Sequence, residues 1–221
     1  MIFLIFIIVS SPWTWMIFSD SFFLGVLVFA ASLFFYRSLS KDKIGFLTIA
    51  FLSALLFFQY QTTEKKPLTY LSPAEQEFRQ SRIGEYPASF SPFNRWIEKR
   101  PEAIAVSNFG ENFFESIDLN LYFFANHPRE RAGVWEFEKL PFLFLPFFLY
   151  GLFLIVSSSR TLLLLLGGIT PIIFTSIIGN TNPLGPFSLF PVFVAATAYG
   201  VRRFFERVYP FRVRPSQGEK K

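Results

Sequence analysis

The fold of this 221-residue chain is decided by residues 101–157, which read PEAIAVSNFGENFFESIDLNLYFFANHPRERAGVWEFEKLPFLFLPFFLYGLFLIVS. A polar segment with helical periodicity leads to a short basic segment at 126–131, and a strongly apolar segment follows. Further apolar sequence lies before and after this stretch. The order predicts membrane-spanning helices on both sides of one sizeable polar region.

The distribution of charge supports this prediction. Charged residues are almost absent from tracts 1–36, 44–63 and 140–201, where Asp20 and Arg160 are the exceptions. A water-exposed fold needs charged side chains on its surface, whereas the hydrocarbon core of a bilayer excludes them. Hydrophobic residues make up 52% of the chain and charged residues 17%. We therefore expect an all-α, polytopic integral membrane protein with a helical extracytoplasmic region between its third and fourth apolar segments.

The apolar segments set the predicted domain boundaries. They cover residues 1–18, 16–36, 44–60, 140–156, 161–178 and 187–201. At 1.5 Å per residue, ~20 helical residues cross the ~30 Å hydrocarbon core. The predicted parts are an N-terminal membrane region (1–60), an extracytoplasmic helical region (61–139), a C-terminal membrane region (140–201) and a basic tail (202–221).

The first apolar segment has two interpretations. It is a short span or re-entrant piece that is interrupted at Ser10, Ser11 and Pro12, with Trp13 and Trp15 at a membrane interface. Alternatively, Met1 is not the natural start and the chain is the C-terminal part of a longer membrane protein. The sequence predicts five spans, or six if residues 1–18 cross.

The polar region is predicted to be helical. Ser72 and Glu75 have the spacing of a capping box around Pro73, which indicates a helix through about Arg82. Between residues 101 and 125 the large apolar residues recur at steps of three and four. They are Val106, Phe109, Phe113, Ile117, Leu121 and Phe124. This periodicity predicts an amphipathic helix, and no stretch alternates with the period of a strand.

The basic residues predict the orientation. The loop at 37–43, Arg160 and the tail at 202–221 carry three, one and seven Lys or Arg, and they fall on one side if each segment crosses once. The loop at 179–186 on the other side carries no charge. The positive-inside rule then places the C-terminus in the cytoplasm and residues 61–138 outside a multi-pass cell-membrane protein.

Several classes of partner and chemistry are not predicted. The chain has no cysteine, which excludes disulfides, thiolate nucleophiles and iron–sulfur sites. Its net charge of +5 comes from the tail, so it indicates orientation and lipid contact rather than nucleic-acid binding. We predict no cofactor, and we expect membrane lipids and a membrane-protein partner.

An acidic stripe is the first candidate site. Glu111, Glu115 and Asp118 are spaced at i, i+4 and i+7, so a continuous helix would place them on one face. Such a cluster could bind a divalent cation or act as a general base. The competing interpretation is a solvated helix face, because no second motif supplies further ligands.

The basic segment at 126–131 is the second candidate. His127 is the single histidine of the chain, and it could act as an acid, a base or a phosphate partner. Arg129 and Arg131 suit bidentate contact with phosphate near the membrane surface. The alternative is a structural joint in which these arginines pair with neighbouring carboxylates.

Three further residues complete the candidates. Asp20 lies between two apolar segments, where an acid is either functional or simply in water. Arg202 and Arg203 begin the basic tail, in which basic and aromatic residues alternate, and they are predicted to contact anionic lipid or phosphate.

A transporter or channel is the least favoured of three candidate functions, because the spans contain no buried acid or base. Two functions remain in competition. The first is an accessory or interaction protein of the cell envelope, without enzymatic activity, whose outer helical region binds a partner or lipid head groups. The second is a fragment or small relative of a membrane glycosyltransferase, because the layout is similar to that of polytopic enzymes that use lipid-phosphate sugar donors. In that case Asp20, His127, Arg129 and Arg131 would converge at one outer cavity.

Overall fold

The computed structural model describes residues 1–41, 43–85, 87, 96, 99–124, 137–158, 160–179 and 182–208. Every regular element in these ranges is helical, which confirms the predicted all-α class. The helices are α1 (Ile2–Ser10), α2 (Pro12–Asp20), α3 (Phe22–Lys41), α4 (Phe46–Thr62), α5 (Pro73–Glu85), α6 (Pro101–Ile117), α7 (Leu119–Phe123), α8 (Leu145–Val156), α9 (Thr161–Leu164), α10 (Thr170–Ile178) and α11 (Phe190–Val208). Short 3₁₀ turns at Phe142–Phe144 and Phe187–Leu189 precede α8 and α11, and a π-helical turn at Leu165–Ile169 joins α9 to α10.

Helix α11 is the centre of the bundle. All its residues from 190 to 201 are buried, and it packs against α8, α3 and α1. Gly151 of α8 and Gly200 of α11 make the closest of these contacts possible. A Cβ atom at Gly151 would collide with the Ala196 carbonyl oxygen, and one at Gly200 would collide with the Phe147 carbonyl oxygen. Small residues let two helix backbones approach in this way.

The predicted interruption at residues 10–12 is present as a bend of 69° between α1 and α2. Pro12 has no N–H and holds Ser11 in an extended conformation, so the helix cannot continue through it. Side chains after the break satisfy the carbonyls that it frees. Thr14 Oγ1 donates to the Ile8 oxygen at 2.6 Å, and Trp15 Nε1 donates to the Val9 oxygen at 2.8 Å. The break therefore leaves these carbonyls paired within the chain.

Trp13 lies inside the bundle rather than on its surface, and its predicted place at a membrane interface stays a prediction. Its side chain is fully buried, and its Nε1 donates to the Leu184 oxygen at 2.7 Å. The bend after α1 turns the indole inward, where its ring packs against Phe190 at 5.2 Å and Tyr122 at 5.7 Å. Trp15 is exposed.

The boundaries of the second apolar segment also differ from the prediction of 16–36. Helix α3 begins at Phe22, because Ser21 is extended and its Oγ accepts the Leu24 N–H at 3.3 Å. The helix continues through Arg37 to Lys41, so most of the predicted loop at 37–43 is helical. A cation in the last turn is favourable because the C-terminal end of a helix carries partial negative charge.

Length and composition identify α3 as one helix that could cross a bilayer, and the bent pair of α1 and α2 would be a second. The other apolar helices, Phe46–Thr62, Phe142–Val156 and Leu162–Ile178, are shorter. For the described ranges, the structure thus establishes an all-helical fold with one clear membrane-capable helix. The multi-pass arrangement stays a prediction.

The polar region contains both predicted helices. Ser72 and Glu75 form the expected capping box, in which the Ser72 N–H donates to Glu75 Oε2 at 2.7 Å and the Glu75 N–H donates to Ser72 Oγ at 3.3 Å. The amphipathic helix is interrupted at Asp118, which caps α7 by accepting the Asn120 N–H at 2.9 Å.

Helix α6 contacts α10 through hydrogen bonds between polar side chains and the neighbouring helix. Asn112 Nδ2 donates to the Ser176 oxygen at 3.2 Å, and the Ser116 and Thr175 hydroxyls lie 3.0 Å apart. Val106 on the predicted apolar stripe is 72% exposed. Helix α7 then enters the bundle, where Tyr122 stacks on Phe193 at 4.2 Å.

Candidate functional site

The basic segment at 126–131 lies outside the described residues. The roles predicted for His127, Arg129 and Arg131 therefore stay predictions, as does their convergence with Asp20. Asp20 itself is the last residue of α2, and its side chain is exposed.

The acidic stripe is divided by the break in the helix. Glu111 and Glu115 lie on α6, whereas Asp118 has left helical geometry and its carboxylate caps α7. Among the described residues, no group of three or more His, Asp or Glu side chains could hold a metal ion. The assumption of a continuous helix through residue 118 was wrong, because the Asp118 carboxylate holds the local turn that starts α7.

A cavity of about 420 Å³ lies between α5 and α6. Glu111 lines it from α6, and Glu75, Arg79 and Arg82 line it from α5. Asn108 fixes α6 to the chain before α5, because its Nδ2 donates to the carbonyl oxygens of Leu68 at 2.6 Å and Tyr70 at 3.0 Å. Both acidic and basic side chains thus line this cavity.

A polar joint at one end of the bundle was not singled out from the sequence. Lys139 is 4% exposed, and its Nζ donates to the Leu121 oxygen at 3.1 Å. The ammonium lies 5.6 Å from the Tyr122 ring and 5.3 Å from the Phe137 ring. Ser11 Oγ donates to the Lys139 oxygen at 2.6 Å and links the joint to the bend after α1.

Gln59 ties the end of α4 to the same joint. Its Nε2 donates to the Gly185 oxygen at 3.3 Å, and its Oε1 accepts the Ser188 N–H at 3.3 Å. Gly185 has a φ of +70°, and a Cβ atom there would lie 2.8 Å from Lys139 Cε. Most polar groups of the joint are paired within the chain, with the buried Ser188 hydroxyl as an exception, which indicates a structural role.

A basic cleft lies where α8 ends beside the last turns of α11. Its volume is about 580 Å³, and its lining residues are Tyr150, Leu154, Ser157, Ser158, Arg160, Tyr199, Arg203, Glu206 and Arg207. Three guanidinium groups thus face a single carboxylate. We call this the basic cleft.

The hydroxyl of Tyr199 organises two of these cations. Arg160 Nη1 donates to it, and Arg203 Nε donates to it at 3.2 Å. Both guanidinium groups also lie over the Tyr199 ring, at 5.3 Å and 5.2 Å from its centroid. A neutral phenol therefore holds two positive charges close together.

Glu206 pairs with two arginines and only partly compensates the positive charge of the cleft. Its Oε1 accepts from Arg202 Nε at 2.7 Å, and its Oε2 accepts from Arg203 Nη1 at 3.1 Å. These bonds, first that from Arg202, hold the pKa of Glu206 below its usual range. The bond to Tyr199 and the ion pair with Glu206 raise the pKa of Arg203.

The structure separates the two arginines that the sequence had grouped. Arg203 lines the cleft, whereas Arg202 is not among the lining residues and its pKa is raised mainly by Glu206, with a contribution from Tyr36 of α3. Arg160 was visible from the sequence as the basic residue within tract 140–201. The part played by Tyr199 was not, since an isolated tyrosine near a helix end carries no distinguishing pattern.

Comparison with protein-family models, curated protein sequences and solved structures found no match to this chain.

Proposed function

We propose that this chain is a multi-pass membrane protein of the cell envelope that acts as an accessory or interaction protein. In this proposal the apolar helices lie in the bilayer, the C-terminus is cytoplasmic, and the region around α5 and α6 meets a partner or lipid head groups outside. The observation that carries the proposal is the apolar outer surface of the bundle.

Large apolar side chains point outward from every predicted span except the last, 187–201, which is buried at the centre of the bundle. The most exposed on the helices include Ile2, Phe6, Phe22, Phe23, Phe46, Phe57, Phe142, Phe153, Val156, Leu162 and Ile177. Soluble monomers rarely expose contiguous apolar patches larger than a few hundred Å². Lipid tails cover such side chains without cost.

The interior polar groups support the same proposal. Ser32 Oγ donates to the Val28 oxygen, and Thr197 Oγ1 donates to the Phe193 oxygen, both at 2.7 Å. The Ser38 and Thr48 hydroxyls lie 2.7 Å apart and join α3 to α4. A helical bundle in hydrocarbon must satisfy its polar groups internally in this way.

The grouping of basic segments supports the proposed orientation. Arg160 meets Tyr199 in α11, and Tyr36, near the end of α3, lies beside Arg202. The arginines lie at the end of the bundle where α11 ends. Gln59 and Lys139 lie at the opposite end, beside the loop that precedes α11. Under the positive-inside rule, the end of the bundle that carries these basic residues stays in the cytoplasm.

Helix α6 supplies the proposed interaction surface. One side faces α10 through Asn112 and Ser116, while Val106 and Phe114 are 72% and 68% exposed on another. Packing within the described part of the chain leaves these two side chains uncovered. A photo-crosslinking residue at Val106 should trap a protein partner or a lipid. Recovery of solvent-quenched product alone would contradict an interaction surface.

A single substitution tests the membrane location. Ser53 is exposed near the middle of α4, and we expect Ser53→Arg to destabilise the bilayer-embedded chain by about 2.5–3.5 kcal/mol. A surface substitution on a water-soluble protein changes stability by only about 0.5 kcal/mol. The measurement is unfolding of the reconstituted chain in liposomes, and Glu77→Arg on exposed α5 is the control.

Either of two results would defeat the membrane proposal. One is an unchanged stability of the Ser53→Arg variant. The other is a purified chain that remains monodisperse by gel filtration in buffer without detergent.

A further inference from the structure

We propose that the basic cleft binds the phosphate group of an anionic phospholipid, whose acyl chains lie along the apolar wall formed by Tyr150 and Leu154. This inference rests on the proposed membrane location. It assigns to the cytoplasmic end of the bundle a defined lipid site rather than diffuse attraction to a charged surface.

The arrangement of the guanidinium groups is the first argument. Arg160 reaches the Tyr199 hydroxyl from the turn after α8, and Arg203 reaches it from α11. Arg207 lies one turn beyond Arg203 on the same face of α11 and lines the same cleft. Arginines from two separate segments therefore lie together at one place. A basic tail that is only solvated would not need this arrangement.

The charge balance is the second argument. Glu206 is the carboxylate that lines the cleft, and it is shared between Arg202 and Arg203. Because Arg202 takes one of its two oxygens, Glu206 cannot neutralise the three arginines that line the cleft. Among the described residues that line the cleft, three arginines thus stand against one carboxylate, and an anion would offset the repulsion between neighbouring cations.

The donors suit a phosphate group. A guanidinium group offers planar pairs of N–H donors that match two phosphate oxygens, and such charged hydrogen bonds are stronger than neutral ones. Ser157 and Ser158 add hydroxyls at the rim. The cavity of about 580 Å³ lies within the range of small-ligand sites and is ample for a head group.

The apolar wall favours a lipid over a free phosphate ion. Tyr150 and Leu154 are one turn apart on α8 and line the cleft beside the arginines. Phe153 and Val156, next to them in α8, are exposed on the outside of the bundle. An anionic phospholipid would use both parts of the cleft. Its phosphate group would contact the arginines, and its acyl chains would lie on the apolar wall, as in basic pockets between helices that hold anionic lipid head groups.

The test uses the full chain reconstituted in nanodiscs of phosphatidylcholine with or without phosphatidylglycerol. Bound phospholipid is counted by native mass spectrometry after gentle release. We expect retained phosphatidylglycerol in the unmodified chain and a loss of roughly tenfold or more in Arg203→Gln/Arg207→Gln. The matched control is Arg37→Gln/Lys41→Gln, which removes the same charge from the end of α3 outside the cleft, and it should change retention by less than about twofold.

Geometry is tested separately from charge and from folding. Arg203→Lys/Arg207→Lys keeps both charges but loses the planar donors, so we expect retention to fall several-fold while circular dichroism shows unchanged helix content. If the cleft and α3 variants lose equal amounts of retained phosphatidylglycerol, the inference is overturned, because the lipid is then attracted by positive charge in general. Full retention in the lysine variant would overturn the proposed bidentate contact.

Competition distinguishes the source of the phosphate. If the cleft holds a phospholipid, millimolar inorganic phosphate or glycerol 3-phosphate should displace little of it. Displacement by either would make a soluble phosphate the occupant and overturn the lipid assignment. A chain that reconstitutes normally but shows no preference for phosphatidylglycerol defeats this inference alone, whereas a chain that needs no bilayer defeats the proposed function.

Discussion

At the scale of single residues, Gly151 and Gly200 determine how closely α8 and α11 approach. Each glycine faces the backbone of the other helix rather than a side chain, so a Cβ atom would force the two helices apart. Flexible side chains can move aside, but a helix backbone cannot do so without losing its packing along several turns. The sequence shows both glycines within apolar segments and does not show that they oppose each other.

We expect Gly200→Val to destabilise the chain by about 1–3 kcal/mol or more, because it overpacks this contact. The measurement is the thermal unfolding of the purified chain in detergent. Gly110→Ala on α6 is the control, since nothing lies within 4 Å of its added Cβ. Alanine should stabilise that helix by about 0.5–1 kcal/mol. A Gly200→Val variant as stable as the unmodified chain would contradict the close contact.

Position on the helix gives Arg202 and Arg203 different contacts. The two are adjacent in sequence and equally basic, but α-helical geometry turns them about 100° apart. Only Arg203 comes beside Tyr199 and Arg160. A sequence-based prediction that treats neighbouring arginines as one site cannot make this distinction.

At the scale of elements, α6 has faces with different roles. Asn112 and Ser116 meet α10, Glu111 faces the cavity beside α5, and Val106 points outward. The sequence predicted the helix and its apolar stripe. It did not predict that small polar residues would form the contact, because a hydroxyl that pairs across an interface has the same local pattern as one in water.

The contact between α6 and α10 can be tested by cross-linking, and the absence of native cysteine makes the result unambiguous. The Ser116 and Thr175 hydroxyls lie 3.0 Å apart, so Ser116→Cys/Thr175→Cys should form a disulfide on mild oxidation. The product is detected as a mobility shift on a non-reducing gel after proteolysis between the two helices. Phe114→Cys/Thr175→Cys should not cross-link, because Phe114 points outward. Efficient cross-linking of the Phe114 pair would contradict the assigned face.

At the scale of the whole molecule, the ends of the bundle differ in chemistry. One end gathers the arginines around Tyr199, and the other gathers Trp13, Gln59 and Lys139 in a hydrogen-bonded polar joint. Under the proposed orientation the first end faces the cytoplasm and the second faces outward. This asymmetry supports a fixed orientation in the membrane.

Labelling with a membrane-impermeant maleimide tests that orientation. A single cysteine at exposed Gln80 on α5 should react in intact cells, whereas one at exposed Lys41 should react only after permeabilisation. The opposite pattern would reverse the proposed orientation. Reaction at both positions in intact cells would mean that the chain does not separate two compartments.

The sequence alone was sufficient for the helical class, the capping box at Ser72 and the interruption at Pro12, because each depends on residues within one or two turns of each other. It also indicated Arg160 as a cation within an apolar tract and Arg203 as a cation next to the predicted membrane. Tertiary structure alone decided the burial of Trp13, the division of the acidic stripe at Asp118 and the meeting of two arginines at Tyr199. These features depend on contacts between distant segments, such as the pairing of residues 160 and 199. Local periodicity records which face of a helix is apolar, but the partner of that face is set by how the helices pack.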